Sequence, residues 1–109
     1  MSGYRVGFRR EALNQLEALY DYIASAGSPD NAARYTDAIV AYCQGLTDFP
    51  YLGIARDDIR PGLRTIGYKK RIVIAFAVLE NTVAIVGIFS GGRDYEAILA
   101  GADPDQADS

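Results

Sequence analysis

The sequence predicts one α+β domain: an N-terminal strand, a helical hairpin, and then a three-stranded antiparallel meander, with all strands in one sheet. Three observations predict it. The first half of the chain repeats its apolar residues at helical spacing, whereas residues 63–90 run in short stretches rich in Ile, Val, Phe and Tyr. A connector, Pro50 to Gly62, separates the halves and holds two prolines and two glycines, residues that favour turns. Finally, strands that follow helices instead of alternating with them mark an α+β arrangement.

The elements follow in order. Tyr4-Arg5-Val6-Gly7-Phe8 alternates large with small or polar residues and reads as a strand. It must join the sheet, because a lone strand leaves its backbone hydrogen bonds unmade. A helix follows from about Arg10 to Ala26. Leu13, Leu16, Tyr20 and Ile23 lie on one stripe of its 3.6-residue period, and Gly27 is placed to end it. Ser28-Pro29-Asp30 opens a second helix. Serine suits the N-cap, proline suits the first turn, where its missing N–H costs nothing, and aspartate suits the positive end of the dipole. Tyr35, Ile39, Tyr42 and Leu46 form its stripe, and it is expected to end near Phe49-Pro50, since proline disfavours helical geometry in the residue before it. Two helices joined so closely make an antiparallel hairpin.

Three strands are predicted after the connector, at Leu63–Tyr68, Arg71–Leu79 and Thr82–Ser90, with turn-sized gaps at Lys69-Lys70 and Glu80-Asn81. The last two are almost wholly apolar, so both sheet faces are expected to be covered, one by the hairpin and the other by a further element or a partner. Gly91-Gly92 breaks the last strand, and Arg93 to Leu99 reads as a helical turn. Residues 1–100 form the domain. Residues 101–109 read as an acidic, disordered tail.

The 109 residues carry a net charge of −3, half of them hydrophobic and 23% charged, a composition for an ordered fold. The charge is unevenly placed. Asp94, Glu96, Asp103, Asp105 and Asp108 follow the last basic residue; setting them aside leaves nine acidic residues against eleven basic, a body near +2. Six of the eleven cations fall between Arg56 and Arg71. Cys43 is the sole cysteine, so no intrachain disulfide forms, in keeping with a reducing cytoplasm; its apolar neighbours make it a buried small hydrophobe. No secretory signal and no membrane span are expected.

Several chemistries are excluded. With no histidine and one cysteine, Ser-His and Cys-His nucleophile pairs cannot form. No metal site and no cofactor are expected, because ligands at metal spacing and phosphate-cradling glycine loops are missing. What remains is cationic and aromatic. Arg60, Arg64, Arg71 and Arg93 flank or occupy the predicted strands, where guanidinium groups suit carboxylates and phosphates. The alternative for Arg64 and Arg93 is a fold-holding ion pair with Asp57, Asp58 or Asp94. Of the eight tyrosines, Tyr20, Tyr35 and Tyr42 fit helix stripes as core or groove residues, while Tyr68 and Tyr95 lie near the cations and suit stacking or an interface.

The element order and particular residues together resemble the ParE toxins of bacterial type II toxin–antitoxin systems, within the RelE/ParE superfamily. Ala12, Leu16 and Tyr22-Ile23-Ala24 carry it in the first helix, Ser28-Pro29-Asp30-Asn31-Ala32 in the second, then Leu46, Phe49-Pro50 and Gly53. Arg56-Asp57-Asp58-Ile59-Arg60-Pro61-Gly62-Leu63-Arg64, the run Arg71–Phe76 and Gly91-Gly92-Arg93-Asp94 continue it, over residues 4–98. The resemblance implies a non-catalytic cytoplasmic toxin, held in a hetero-oligomer by a ParD-like antitoxin and poisoning DNA gyrase, with no sequence-specific DNA binding of its own. It makes Arg60, Arg64, Arg71, Arg93 and Tyr95 candidates for target contact. Leu13, Leu16, Tyr20, Ile23, Tyr35, Ile39 and Tyr42 become candidates for the antitoxin groove. The runner-up is a RelE-type ribosome-dependent mRNA endonuclease, for which Lys69, Lys70, Arg71 and Tyr95 would form the basic and aromatic set.

Overall fold

In a computed structural model of the chain, residues 3–90 and 94–101 are described. The expectations for Gly91-Gly92, for Arg93 and for residues 102–109 lie outside them. Strand β1 (Arg5–Phe8) leads into helix α1 (Arg10–Ala26), then α2 (Pro29–Gln44) and a 3-10 turn at Gly45–Thr47. Strands β2 (Ile54–Ala55), β3 (Leu63–Tyr68), β4 (Ile72–Leu79) and β5 (Thr82–Ser90) follow, and helix α3 (Tyr95–Leu99) completes the order.

One sheet contains all five strands, in the order β1-β5-β4-β3-β2. The meander β3-β4-β5 is antiparallel as expected, and β1 closes one edge by pairing in parallel with β5, Arg5 opposite Thr82. The sequence reading missed β2. Two residues are too few for an alternation signal, yet Ile54 and Ala55 pair with Thr65 and Arg64 and line the opposite edge.

Helix α2 starts as its sequence dictates: the Ser28 hydroxyl accepts a hydrogen bond from the Asn31 N–H at 3.1 Å, with Pro29 in the first turn. Its end differs from expectation. The helix stops at Gln44 and tightens into the 3-10 turn, which carries Leu46 into the core at 2% exposure. The α1 stripe is also rotated from the expected one. Ala12 and Leu16 are buried with Leu19 packed beside them, whereas Leu13 is half exposed. Alanine at position 12 let α1 approach the sheet closely, a contact that a search for large apolar residues overlooks. Gly27 ends α1 with φ −139°, so no left-handed cap is used.

The hairpin side of the sheet holds the larger core: Ile72, Ile74, Phe76, Val83, Ile85 and Ile88 against Ala12, Leu16, Ile39, Cys43 and Leu46. Each large buried side chain contributes roughly 1.5–3 kcal/mol. The opposite face is covered by the chain itself. Leu63, Ala75 and Phe89 meet Leu99 of α3, with Ile59, Tyr95 and Ile98 around them. A bulge makes the two faces possible. Phe76 faces Ile85 while Ala75 faces Gly87, so Val86 is extra and the inward alternation of β5 shifts from Val83 and Ile85 to Ile88. Gln15 of α1 braces this irregularity, its Oε1 accepting from the Ile88 N–H at 2.6 Å. A Cβ at Gly87 would lie 2.5 Å from the Phe89 ring, so a larger residue there would force that buried ring to shift.

Candidate functional site

The main concavity lies where the hairpin overhangs the start of β4 and the end of β5. Helical spacing turns Asn14, Gln15, Ala18, Leu19, Tyr22 and Ile23 to one side of α1. Tyr35 of α2 and Ile72, Ile88 and Ser90 of the strands supply the other walls, with Arg71 at the rim. The cavity has a volume of about 660 Å³, within the range of ligand and peptide pockets. A shallower hollow of about 430 Å³ shares Ile23 and Tyr35 with it and adds Asn31, Arg34, Ala38 and Lys69. The two form a trough with an apolar floor. Among the described residues no aspartate or glutamate lines either part, while Arg34, Lys69 and Arg71 stand on the rim.

Two of the rim cations, Lys69 and Arg71, sit on a tight turn, whereas Arg34 belongs to α2. Tyr68 pairs with Ile72, so Lys69, Lys70 and Arg71 span the hairpin, and Lys69 and Lys70 adopt φ of 52° and 66°. Side chains other than glycine, asparagine and aspartate rarely hold that geometry. Lys69 lies over the Tyr68 ring at 5.6 Å, and Tyr68 in turn packs on Tyr42 with ring centroids 4.9 Å apart. Arg71 makes no hydrogen bond or ion pair with another described residue.

The remaining candidates divide sharply. Ile23, Tyr35 and Arg71 meet in the trough. Leu16 and Ile39 are 8% and 0% exposed and belong to the core, so they present no surface here. Tyr20 is half-buried, and Leu13 projects to solvent. Arg64 is turned onto backbone: it donates to the carbonyls of Tyr51, Leu52 and Gly53 at 2.6, 3.1 and 3.3 Å and lies over the Tyr51 ring. The alternative reading of Arg64, an ion pair with Asp57, Asp58 or Asp94, gives way to a carbonyl clamp. Arg60 donates to the Leu99 carbonyl at 2.6 Å and ties down α3. Tyr95 packs on Phe89, 6.0 Å between centroids, on the face away from the hairpin. Tyr95 and Arg71 thus do not converge, and Arg93 is outside the described residues.

Sequence reasoning gave Arg56 no role. It binds Asp58 at 2.9 Å and Glu96 at 2.7 Å, and its hydrogen bond holds the Asp58 carboxyl below the usual carboxylate range. The local signal was Asp58 two positions on; Glu96, forty residues away, gave none. Leu19, Ile72 and Ile88 were also missed as groove residues, because their strand and helix positions carry no mark of a cavity. Elsewhere, a hydrogen bond with Tyr51 raises the Tyr4 hydroxyl above its ordinary value. Burial pushes the Cys43 thiol up to about 12, consistent with its reading as a small hydrophobe. Among the described residues there is no cluster of three or more metal-ligating side chains, and no helix is long and apolar enough to cross a membrane.

Comparisons with known proteins agree with this architecture. No curated protein sequence matches the chain. Among solved structures, one from the chromosomal ParDE toxin–antitoxin system of P. aeruginosa superposes with a TM-score of 0.72. It is 23% identical, over 83% of this chain and 98% of that one; identity so low speaks to the fold alone. The family model for the ParE toxin of the type II toxin–antitoxin system parDE matches residues 6–95, from β1 to the first residue of α3. The chain therefore belongs to the ParE toxin family of type II toxin–antitoxin systems.

Proposed function

We propose that this chain arrests growth by binding and poisoning DNA gyrase, without catalysis of its own, and that a ParD-like antitoxin neutralises it by occupying the trough in a cytoplasmic hetero-oligomer. The observation that carries the antitoxin half is the trough itself: an apolar floor beside a cationic rim, with no acid among its described lining residues. An amphipathic segment with acidic residues beside its apolar face fits that chemistry. Ile23, Tyr35 and Arg71 are its proposed contacts.

For the target half, the family supplies the precedent and the side-chain geometry weighs against the nuclease alternative. A nuclease without histidine needs its cations and tyrosine gathered at one point, whereas Arg71 lines the hairpin side and Tyr95 packs on the other. Of the proposed target contacts, Arg60 and Arg64 act first on the fold. Arg71 and Tyr95 remain candidates for direct contact, and Arg93 is one from sequence.

The test is induction of the chain alone and together with its antitoxin, with viable counts, a DNA-damage reporter and translation followed in parallel. Arrest with a strong damage signal, relieved by the antitoxin, is the expected result. Arrest with translation failing first and a silent reporter would reject gyrase in favour of mRNA cleavage.

A further inference from the structure

Five acids and no base follow Arg93 in the sequence. Two of them have partners in the fold. Asp94 caps α3, accepting from the Ala97 N–H at 3.2 Å, and Glu96 pairs with Arg56. The other three, Asp103, Asp105 and Asp108, belong to residues 102–109, outside the described part, a segment with no basic and no large apolar side chain. Cations are left over as well. The ion pairs among the described residues are both made by Arg56, so Lys69, Lys70 and Arg71 meet no carboxylate there. Arg34 has Asp30 and Asp37 one turn to either side on its own helix, which leaves the β3-β4 turn as the stronger attractor for an anion.

We propose that residues 102–109 bind in cis to the cationic rim of the trough, their aspartates at Arg71 and the Lys69-Lys70 turn, as a tethered competitor for any anionic partner of that rim. Position is the first argument. Gly101, from which the segment leaves, lines a hollow of about 350 Å³ together with Glu11, Gln15 and Val86. Gln15 is also a wall of the trough, so the two concavities adjoin. Val86 to Ser90 is four residues of β5, roughly 13 Å at strand rise, and the neighbouring strand adds about 5 Å. Ser90 faces Ile72, the residue after Arg71, so the span from Gly101 to Arg71 is on the order of 20 Å. Seven extended residues reach about 24 Å, which brings Asp108 to Arg71 and, with the length of both side chains, Asp105 close to it.

Charge is the second argument. Among the described residues the trough has a cationic rim and no acid to repel the segment. Nearer cations are less available: Arg60 is committed to the Leu99 carbonyl, and Arg9 shares the hollow at Gly101 with Glu11. Tethering is the third. A single exposed ion pair is too weak to hold a free peptide, but a short tether raises the local concentration of the aspartates to the millimolar range. Without an apolar anchor the segment covers the rim and leaves the floor at Leu19, Ile23 and Tyr35 open, so a partner that brings apolar anchors displaces it. The proposal rests on the chemistry of the trough itself rather than on the antitoxin reading above, and its tests use no antitoxin.

Zero-length carbodiimide coupling of the 109-residue chain is the first test. Lys69 and Lys70 are the only lysines in the sequence, so mass spectrometry assigns the amine side of any Lys–Asp crosslink to this turn. The expected result at low ionic strength is a crosslink to Asp105 or Asp108 within the monomer, lost near 1 M salt, where the Debye length is about 3 Å. Absence of such crosslinks, or their presence in dimers alone, overturns the proposal. The second test is binding of anilinonaphthalene sulfonate, an apolar anion suited to both floor and rim. Asp103→Asn, Asp105→Asn and Asp108→Asn together tighten it about threefold at low salt, the scale of one exposed ion pair, and the gain shrinks on an Arg71→Gln background. An unchanged affinity, or a gain undiminished by Arg71→Gln, overturns the proposal. Matching thermal melts verify that the variants fold.

Discussion

The cations of residues 56–64 and those of residues 69–71 belong to one basic stretch of sequence and do opposite work. Arg56, Arg60 and Arg64 all turn onto the protein, one to two carboxylates and two to main-chain carbonyls. Lys69, Lys70 and Arg71 sit on an exposed turn beside the trough. The difference is set by what lies around each group. The connector passes α3 and the 51–53 loop, whose backbone oxygens accept from its arginines, while among the described residues no such acceptor meets the side chains of the β3-β4 turn. A run of like charge is therefore no single functional patch, and its members are separable by substitution.

The largest break in that comparison is predicted at the loop that Arg64 holds. Gly53→Ala forces a left-handed alanine against the Thr65 carbonyl and is expected to destabilise the fold by roughly 2–3 kcal/mol, read from urea unfolding. Arg64→Ala follows at about 2 kcal/mol, for the loss of charged hydrogen bonds to backbone. Arg64→Lys restores little, because an ammonium cannot span three carbonyls as a guanidinium fork does. Arg60→Ala is expected to cost about 1 kcal/mol and to quicken hydrogen exchange in α3 more than elsewhere.

Acid should loosen the same region gently. Asp58 has its folded value lowered by Arg56, so its contribution is fully present above the unfolded value near 4 and is lost as pH falls through the folded one. A shallow stability decline below about pH 4, absent in Asp58→Asn, is expected from thermal melts. Both partners of Arg56 are largely exposed, so the decline is small and fades at high salt. The smallest effect on folding belongs to the outward group. Arg71→Glu changes stability by no more than about 0.5 kcal/mol yet weakens antitoxin binding at least tenfold by calorimetry. Equal antitoxin affinity in Arg71→Glu would remove the rim from the proposed contact.

Much of the fold was legible because its signals are local. Ser28-Pro29 set the start of α2, helical spacing placed Arg10–Ala26, and β-rich runs placed β3, β4 and β5 within a residue. What stayed hidden depends on contacts distant in sequence. Two residues of β2 carry no period, and the bulge at Val86 reverses which side chains of β5 face the hairpin without leaving a mark in a run of apolar residues. The cover on the second face was left open between a partner and the chain, since five residues of α3 give no strong amphipathic pattern. For the site, Ile23, Tyr35 and Arg71 were singled out by type and spacing, and all three line the trough. The sorting of arginines into clamp and rim was not, because carbonyl oxygens are present at every residue and advertise themselves in none.

The parallel pairing of β1 with β5 also sets a clock. Arg5 meets Thr82, 77 residues later, so at synthesis rates of about 5–20 residues per second the first strand waits roughly 4–15 s for its neighbour. The trough waits with it, since α1 supplies one wall and β5 another. Until that last strand has left the ribosome the nascent chain has no finished surface to offer either target or antidote. Competence therefore arrives only late in synthesis, with the strand that completes both the sheet edge and the trough wall.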